Sequence, residues 1–249
     1  MEGYIIAVAS AFLAGAINAV AGGGTLITFP TLLSLGIDPL VANITNTVAL
    51  WVGSLLGVFG FRSRMVEVKS LVVPFLVSSS LGACVGALLL IKTPSQTFKN
   101  IVPFLILFAV VLLAGSEFIK RFLSRLLTRG KDIPIGVPLF FQFLTGVYGS
   151  YFGAGIGIMM IASLMLSGVN SIHTANALKN LLGFNINLLG AFIFALSGKV
   201  NWTYALLMMP GFALGGYTGA IISQRFKPER VRLFVVLWGL LIALYMMLK

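Results

Sequence analysis

The chain has 249 residues, of which 59% are hydrophobic and 9% charged, whereas roughly a quarter of a soluble domain is charged. So few charges cannot clothe a water-facing surface, and the mean hydropathy of +1.05 makes lipid the solvent. Seventeen Lys and Arg against six Asp and Glu leave a net charge of +11, too dispersed for a nucleic-acid patch; in a membrane protein such an excess reports topology and attraction to anionic lipid.

The first apolar run, residues 3–21, has no basic leader before it and no small-residue cleavage pattern, so it reads as a retained membrane segment rather than a signal peptide. It ends at Gly22-Gly23-Gly24, and a short run follows at 25–35. Full-length spans are predicted at 41–61, 71–91 and 101–119. The longest polar stretch, 120–132, leaves no room for a sizeable soluble domain. The next run, 134–152, meets Gly153-Ala154-Gly155-Ile156-Gly157 and a second short run at 158–166, before full spans at 172–196, 204–223 and 231–248. A span needs ~20 apolar residues, so the two short runs are half-helices or re-entrant segments.

The two glycine-broken regions are related. Gly15, Gly22 and Gly24 recur as Gly146, Gly153 and Gly155 at an offset of 131, and Ala42-Asn43 recurs as Ala175-Asn176 at 133. Asn46 or Thr47 falls near Asn180, Pro74 pairs with Pro210, Gly82/Gly86 with Gly215/Gly219, and Pro94 with Pro228. The chain therefore reads as a duplicated unit, 1–127 and 128–249. In each copy a helix and its short return are followed by three crossings; that total is odd, so the second copy is expected upside down.

The basic residues test this topology. Arg62, Arg64 and Lys69, then Lys120, Arg121, Arg125, Arg129 and Lys131, then Arg225, Lys227, Arg230 and Arg232 fall on one side. Lys92, Lys99, Lys199 and Lys249 fall on the other. The richer side belongs in the cytoplasm, which places both termini outside. The expected class is an all-α polytopic membrane protein of two inverted repeats, each with a glycine-broken short or re-entrant helix and about three full spans.

One cysteine, Cys84, and one histidine, His173, exclude a disulfide framework, a thiolate cluster and a His-rich metal site, so no metal or cofactor is expected. The acids Glu2, Asp38, Glu67, Glu117, Asp132 and Glu229 all lie at or near the ends of apolar runs, which excludes a paired-carboxylate site at mid-membrane. The glycine breaks carry chemistry of another kind. A break at membrane depth frees backbone N–H groups that must find partners, and the short helix after it presents a partial positive charge. Two such ends meeting at the midplane make an anion site, which is the pattern of transporters built from inverted repeats. The bland alternative is that the glycines serve tight packing, which is the expected role of Gly82/Gly86 and Gly215/Gly219 within full spans.

Each short helix is followed by a polar cluster: Asn43, Thr45, Asn46 and Thr47 in the first copy, and Asn176, Lys179 and Asn180 in the second. Amides and hydroxyls suit an oxyanion, and they equally suit helix capping or cross-linking. Lys179 lies about seven residues into its span, ~10 Å from the start at 1.5 Å per residue. An ionisable residue at such depth is a functional candidate, the alternative being a snorkelling side chain. His173 reads as interfacial and structural, with proton coupling as its alternative role.

The stretch from Ala14-Gly15-Ala16-Ile17-Asn18 through Gly22-Gly23-Gly24-Thr25 to Pro30, with Leu35-Gly36 and Ala42-Asn43-x-Thr45-Asn46, resembles the TauE/SafE family of sulfite and organosulfonate exporters and permeases. The stretch from Gly146 to Gly157 is similar to that family's second motif, and the resemblance covers nearly the whole chain. It implies transport of a small anion such as sulfite, sulfoacetate or a taurine-like sulfonate across the inner (plasma) membrane of a prokaryote. It also implies site residues at Asn18, Gly22, Gly23, Gly24, Thr25, Asn43, Thr45 and Asn46, with Tyr148, Gly149, Gly153, Ala154, Gly155 and Asn176 in the second half. The residue reading adds Lys179 and Asn180.

Three functions compete. A secondary carrier with alternating access comes first. An anion channel with re-entrant half-helices is the alternative, separated from a carrier by saturation and counter-exchange. A hydrolase using Ser150 and His173 lacks a nucleophile elbow around the serine, so no enzyme is expected. The partners are a small anion and the bilayer, with no nucleic acid; a homo-oligomer is left open.

Overall fold

The computed structural model describes residues 1–20, 22–61, 69–128, 133–169, 171–222 and 228–248. These form eleven helices: α1 (Glu2–Val20), α2 (Thr25–Ser34), α3 (Pro39–Phe61), α4 (Lys69–Lys92), α5 (Ser95–Ala114), α6 (Ser116–Thr128), α7 (Gly136–Tyr151), α8 (Ile156–Leu166), α9 (Ile172–Leu196), α10 (Trp202–Ile222) and α11 (Pro228–Leu248). Among the described residues, α1, α3, α4, α5, α9 and α11 are six helices long and apolar enough to cross a membrane. The outward face of α4 carries Val73, Val77, Leu81, Val85 and Leu88, a stripe suited to lipid. As the run lengths predict, α2 and α8 have only 10 and 11 residues; at 1.5 Å per residue they cover about half of the ~30 Å hydrocarbon core.

Local chemistry fixes the helix ends. Asp38 Oδ1 accepts from the backbone N–H groups of Leu40 (2.9 Å) and Val41 (3.3 Å), and Pro39 begins α3 where no N–H partner is needed. The same carboxylate accepts the Ser95 hydroxyl at the start of α5, at 2.7 and 2.6 Å. Ser171 caps α9 by accepting from the Thr174 N–H.

These contacts define one end of the bundle. There Tyr4 and Tyr204 place their rings 5.4 Å apart, and Lys199 Nζ donates to the Ile91 carbonyl at 2.7 Å. A Cβ on Gly3 would lie 3.0 Å from Leu35 Cδ2, so the start of α1 and the end of α2 share this end. The opposite end holds α6 and the starts of α9 and α11. Arg232 of α11 donates to the Ser116 hydroxyl and, at 2.9 Å, to Glu117 Oε1, which also accepts from Lys120 at 3.2 Å. Burial alone would raise the pKa of the Glu117 carboxyl, but the Arg232 hydrogen bond and the nearby charges of Lys120 and Arg232 outweigh it and hold the group below its ordinary value. The end of α8 lies at this second end, where Met165 and Val169 flank Glu117.

The helices pack in reciprocal pairs: α1 on α10 and α4 on α7, with α3 on α9 and α5 on α11. The glycine pairs explain how closely. A Cβ on Gly82 or Gly86 would overlap the Phe143 or Val147 carbonyl of α7, and one on Gly215 or Gly219 would overlap Phe12 or Ala16 of α1. Helix α6, which packs on α8 and α5, is a helix not anticipated within the polar stretch of the sequence. Of the residues used for the expected topology, Arg62, Arg64, Arg129, Lys131, Arg225, Lys227 and Lys249 lie outside the described residues, as do the side chains of Lys69 and His173.

Candidate functional site

The two glycine breaks meet. Gly155 donates its N–H to the Gly22 carbonyl at 3.0 Å, and a Cβ on Gly22 would stand 3.0 Å from Gly157 Cα. Both Gly22 (φ 77°) and Gly155 (φ 78°) are left-handed, a conformation that favours glycine. Only residues without side chains permit two interrupted helices to touch backbone to backbone here.

Beside this junction is a cavity of about 20 Å³, room for about one water. Its lining includes Asn18 and Gly22 from the first break, Ile156 and Gly157 from the first turn of α8, and Lys179, Asn180 and Asn187 from α9. Lys179 is 3% exposed, and its ammonium donates to the Ala19 carbonyl at 3.2 Å, one of the last carbonyls of α1. It therefore faces the negative end of one interrupted helix while lining a cavity at the positive end of another. Among the described residues no acid pairs with it by salt bridge. The buried Asn180 has an amide nitrogen without a hydrogen-bond partner among the described residues. Asn187 donates to Ser54 at 2.9 Å, which anchors α9 to α3 at the cavity wall.

Of the expected site residues, the structure thus brings together Asn18, Gly22, Lys179 and Asn180. The others stand around this centre in different positions. Asn46 accepts the Thr28 hydroxyl at 2.6 Å and donates to Thr25 at 3.5 Å, which staples α3 to α2. Asn43 donates to the Tyr151 carbonyl at 2.9 Å, and Thr45 accepts the Asn201 N–H at 3.0 Å. Gly23 packs on Leu113 and Val235, and a Cβ on Gly24 would overlap the Ala14 carbonyl. Tyr148 donates to the Leu105 carbonyl at 3.4 Å, and Gly149 lies against Ile186. Gly153 closes the end of α7 by donating to the Tyr148 carbonyl, Ala154 is fully buried, and Asn176 is half-buried on α9.

Ile156 and Gly157 belong to the second glycine break named from the sequence, whereas Ser54, Met160, Gly183 and Asn187, which complete the lining, were not singled out. Asn187, with Asn185 two residues before it, carried a usable signal, since amides deep in an apolar span are costly unless they have work to do. Among the described residues no three His, Cys, Asp or Glu side chains gather into a metal-binding group.

Residues 7–246 match the family described as "Sulfite exporter TauE/SafE". A "Probable membrane transporter protein" of Haemophilus influenzae is 33% identical over 91% of this chain and 87% of its own length. A "Probable membrane transporter protein ORF9" of a Sinorhizobium species is 33% identical over 87% of this chain and 80% of its own. The "Probable membrane transporter protein YfcA" of Escherichia coli K12 is 30% identical over 91% and 83%. No solved structure matches the chain.

Proposed function

Because the chain belongs to the TauE/SafE family of membrane transporters, we propose that it is a secondary carrier of a small sulfur-containing oxyanion or organosulfonate, such as sulfite, sulfoacetate or a taurine-like sulfonate, working by alternating access across the plasma membrane. The observation that carries this reading is Lys179, a buried cation with a carbonyl partner, placed where two interrupted helices meet. The N–H groups at the start of α8, the Asn180 amide and the Lys179 ammonium are all donors around one small cavity. Donors with no countering carboxylate suit an anion.

The cavity volume favours a carrier over a channel. About 20 Å³ is too small for a sulfonate, so binding requires the surrounding helices to separate. The duplicated units, 1–127 and 128–249, supply the moving parts. Their inversion is supported by the reciprocal packing of α1 on α10 and α4 on α7, and by α2 and α8 ending at opposite ends of the bundle. The α6 end, with its basic residues, is assigned to the cytoplasm, leaving both termini outside.

Purified protein tests the reading. Sulfite, sulfoacetate and taurine are screened for a concentration-dependent rise in thermal midpoint, and protein in liposomes is assayed for saturable counterflow of labelled sulfite. Absence of both stabilisation and movement for every sulfur anion under every imposed gradient refutes it.

A further inference from the structure

Helix α6 is amphipathic in an unusual sense. Its aromatic side faces outward, with Phe118 74% exposed, Phe122 57% exposed, and their rings stacked at 6.4 Å. Along its polar edge Glu117 and Lys120 are half-buried, while Arg121 and Ser124 are exposed. Glu117, Lys120, Arg121 and Ser124 recur at helical spacing and line a chamber of about 310 Å³ that is open to the surface and backed by Met165 at the end of α8 and Ala175 on the first turns of α9. In the bilayer the phenylalanines meet lipid while the basic edge borders this chamber at its open side. That chamber has room for a small oxyanion with several waters, since one water occupies about 30 Å³ of liquid.

The charge balance of the chamber is positive. Glu117 is engaged at one oxygen by both Arg232 and Lys120, so three cations, including Arg121, surround one carboxylate. The chamber also stands in series with the inner cavity. Ala175 lines the chamber, and Lys179, one helical turn further along α9, lines the inner cavity; on α8 Met165 lines the chamber and Met160, five residues earlier, the inner cavity. One turn is about 5.4 Å.

We infer that the chamber between α6 and the α8–α9 pair is an oxyanion-docking vestibule, in which Lys120 and Arg121 capture a small sulfur oxyanion on the α6 face before it reaches Lys179. This rests on the carrier reading above and adds a second anion site to it. Two sources carry the same chemistry, a free oxyanion and the phosphate of an anionic lipid. The position of the chamber in series with Lys179 favours the free anion.

The test is initial-rate transport of labelled sulfite, measured from each membrane face in oriented vesicles, for wild type, Arg121→Gln, Arg121→Lys and the double variant Lys120→Gln/Arg121→Gln. A vestibule that concentrates anions predicts KM raised about tenfold from the α6 face, in the range of electrostatic focusing in a cleft, with kcat from that face unchanged and kcat/KM from the opposite face lowered by the same factor, because both directions share one equilibrium. Arg121→Lys restores the low KM, and added salt narrows the difference between wild type and variant. The experiment is repeated in phosphatidylcholine alone and in phosphatidylcholine with phosphatidylglycerol. An effect present in both supports the vestibule, whereas an effect confined to the phosphatidylglycerol membranes assigns the chamber to a lipid phosphate and overturns it. Equal KM in wild type and Arg121→Gln also overturns it, provided wild type transports. If wild type moves no sulfur anion at all, it is the carrier reading that has failed. Because Arg121 is not part of the Glu117–Arg232 network, the single variant remains informative if the double variant fails to fold.

Discussion

The two glycine breaks occupy matched places in the sequence and are finished differently. The first, before α2, is sealed: Thr28 gives its hydroxyl to Asn46, which donates in turn to Thr25, and Gly23 is covered by Leu113 of its own half and Val235 of the other. The second, before α8, has apolar Ile156 and Gly157 in its first turn and opens on a cavity with Lys179 and Asn180. At the offset of 133 that aligns Asn43 with Asn176, Lys179 stands where the first half has Asn46. The amide closes a break within one half; the ammonium crosses to the Ala19 carbonyl of the other. At two matched breaks, one difference in register separates a structural staple from a candidate ligand.

The sharpest way to break this comparison is Lys179→Ala. Charge-assisted hydrogen bonds contribute roughly 1.5–3 kcal/mol, so its sulfite affinity, read from ligand-dependent thermal stabilisation, is expected to fall about 10- to 100-fold. Asn46→Ala should do the converse, lowering the thermal midpoint while sulfite affinity of the folded protein stays near wild type. It leaves the buried Thr28 hydroxyl only its long, 3.4 Å bond to the Gly24 carbonyl, at a cost of about 1–3 kcal/mol. Comparable loss of affinity in both variants would erase the distinction between the breaks.

Gly155→Ala is expected to be milder than either. Its Cβ would lie 3.3 Å from Ala109, and the left-handed backbone would cost about 1–2 kcal/mol in stability. The smallest effect concerns the α6 end. The Glu117 carboxyl is held below its ordinary value of 4.5, so its stabilisation is complete above that value and is lost as pH falls through the lowered one. Thermal midpoints of wild type and Glu117→Gln should therefore differ at neutral pH and converge in acid.

Sequence made the breaks and the short helices legible, because a run of about ten apolar residues after glycines cannot span. It also made the packing role of Gly82, Gly86, Gly215 and Gly219 legible, through spacing on one helix face. The helix α6 was hidden by charge: Lys120, Arg121 and Arg125 make the stretch read as polar, while Phe118, Phe122 and Leu123 carry its apolar sides. The division of labour among the polar residues was hidden for a different reason. Asn43, Thr45 and Asn46 look like a ligand cluster along the chain, yet their partners Tyr151, Asn201 and Thr28 are set by tertiary contact, which spacing within one helix does not encode.

The reciprocal glycine packing bears on how the protein is made. Phe12 of α1 rests against Gly215 of α10, so the first helix enters the membrane about 200 residues before its partner is synthesised, a wait of roughly 10–40 s at typical translation rates. During that interval neither the close face of α1 nor the Gly22 carbonyl has its final neighbour. Biogenesis of the first half is thus provisional, and a nascent chain stalled between α6 and α10 should be a preferred substrate for membrane quality-control proteases.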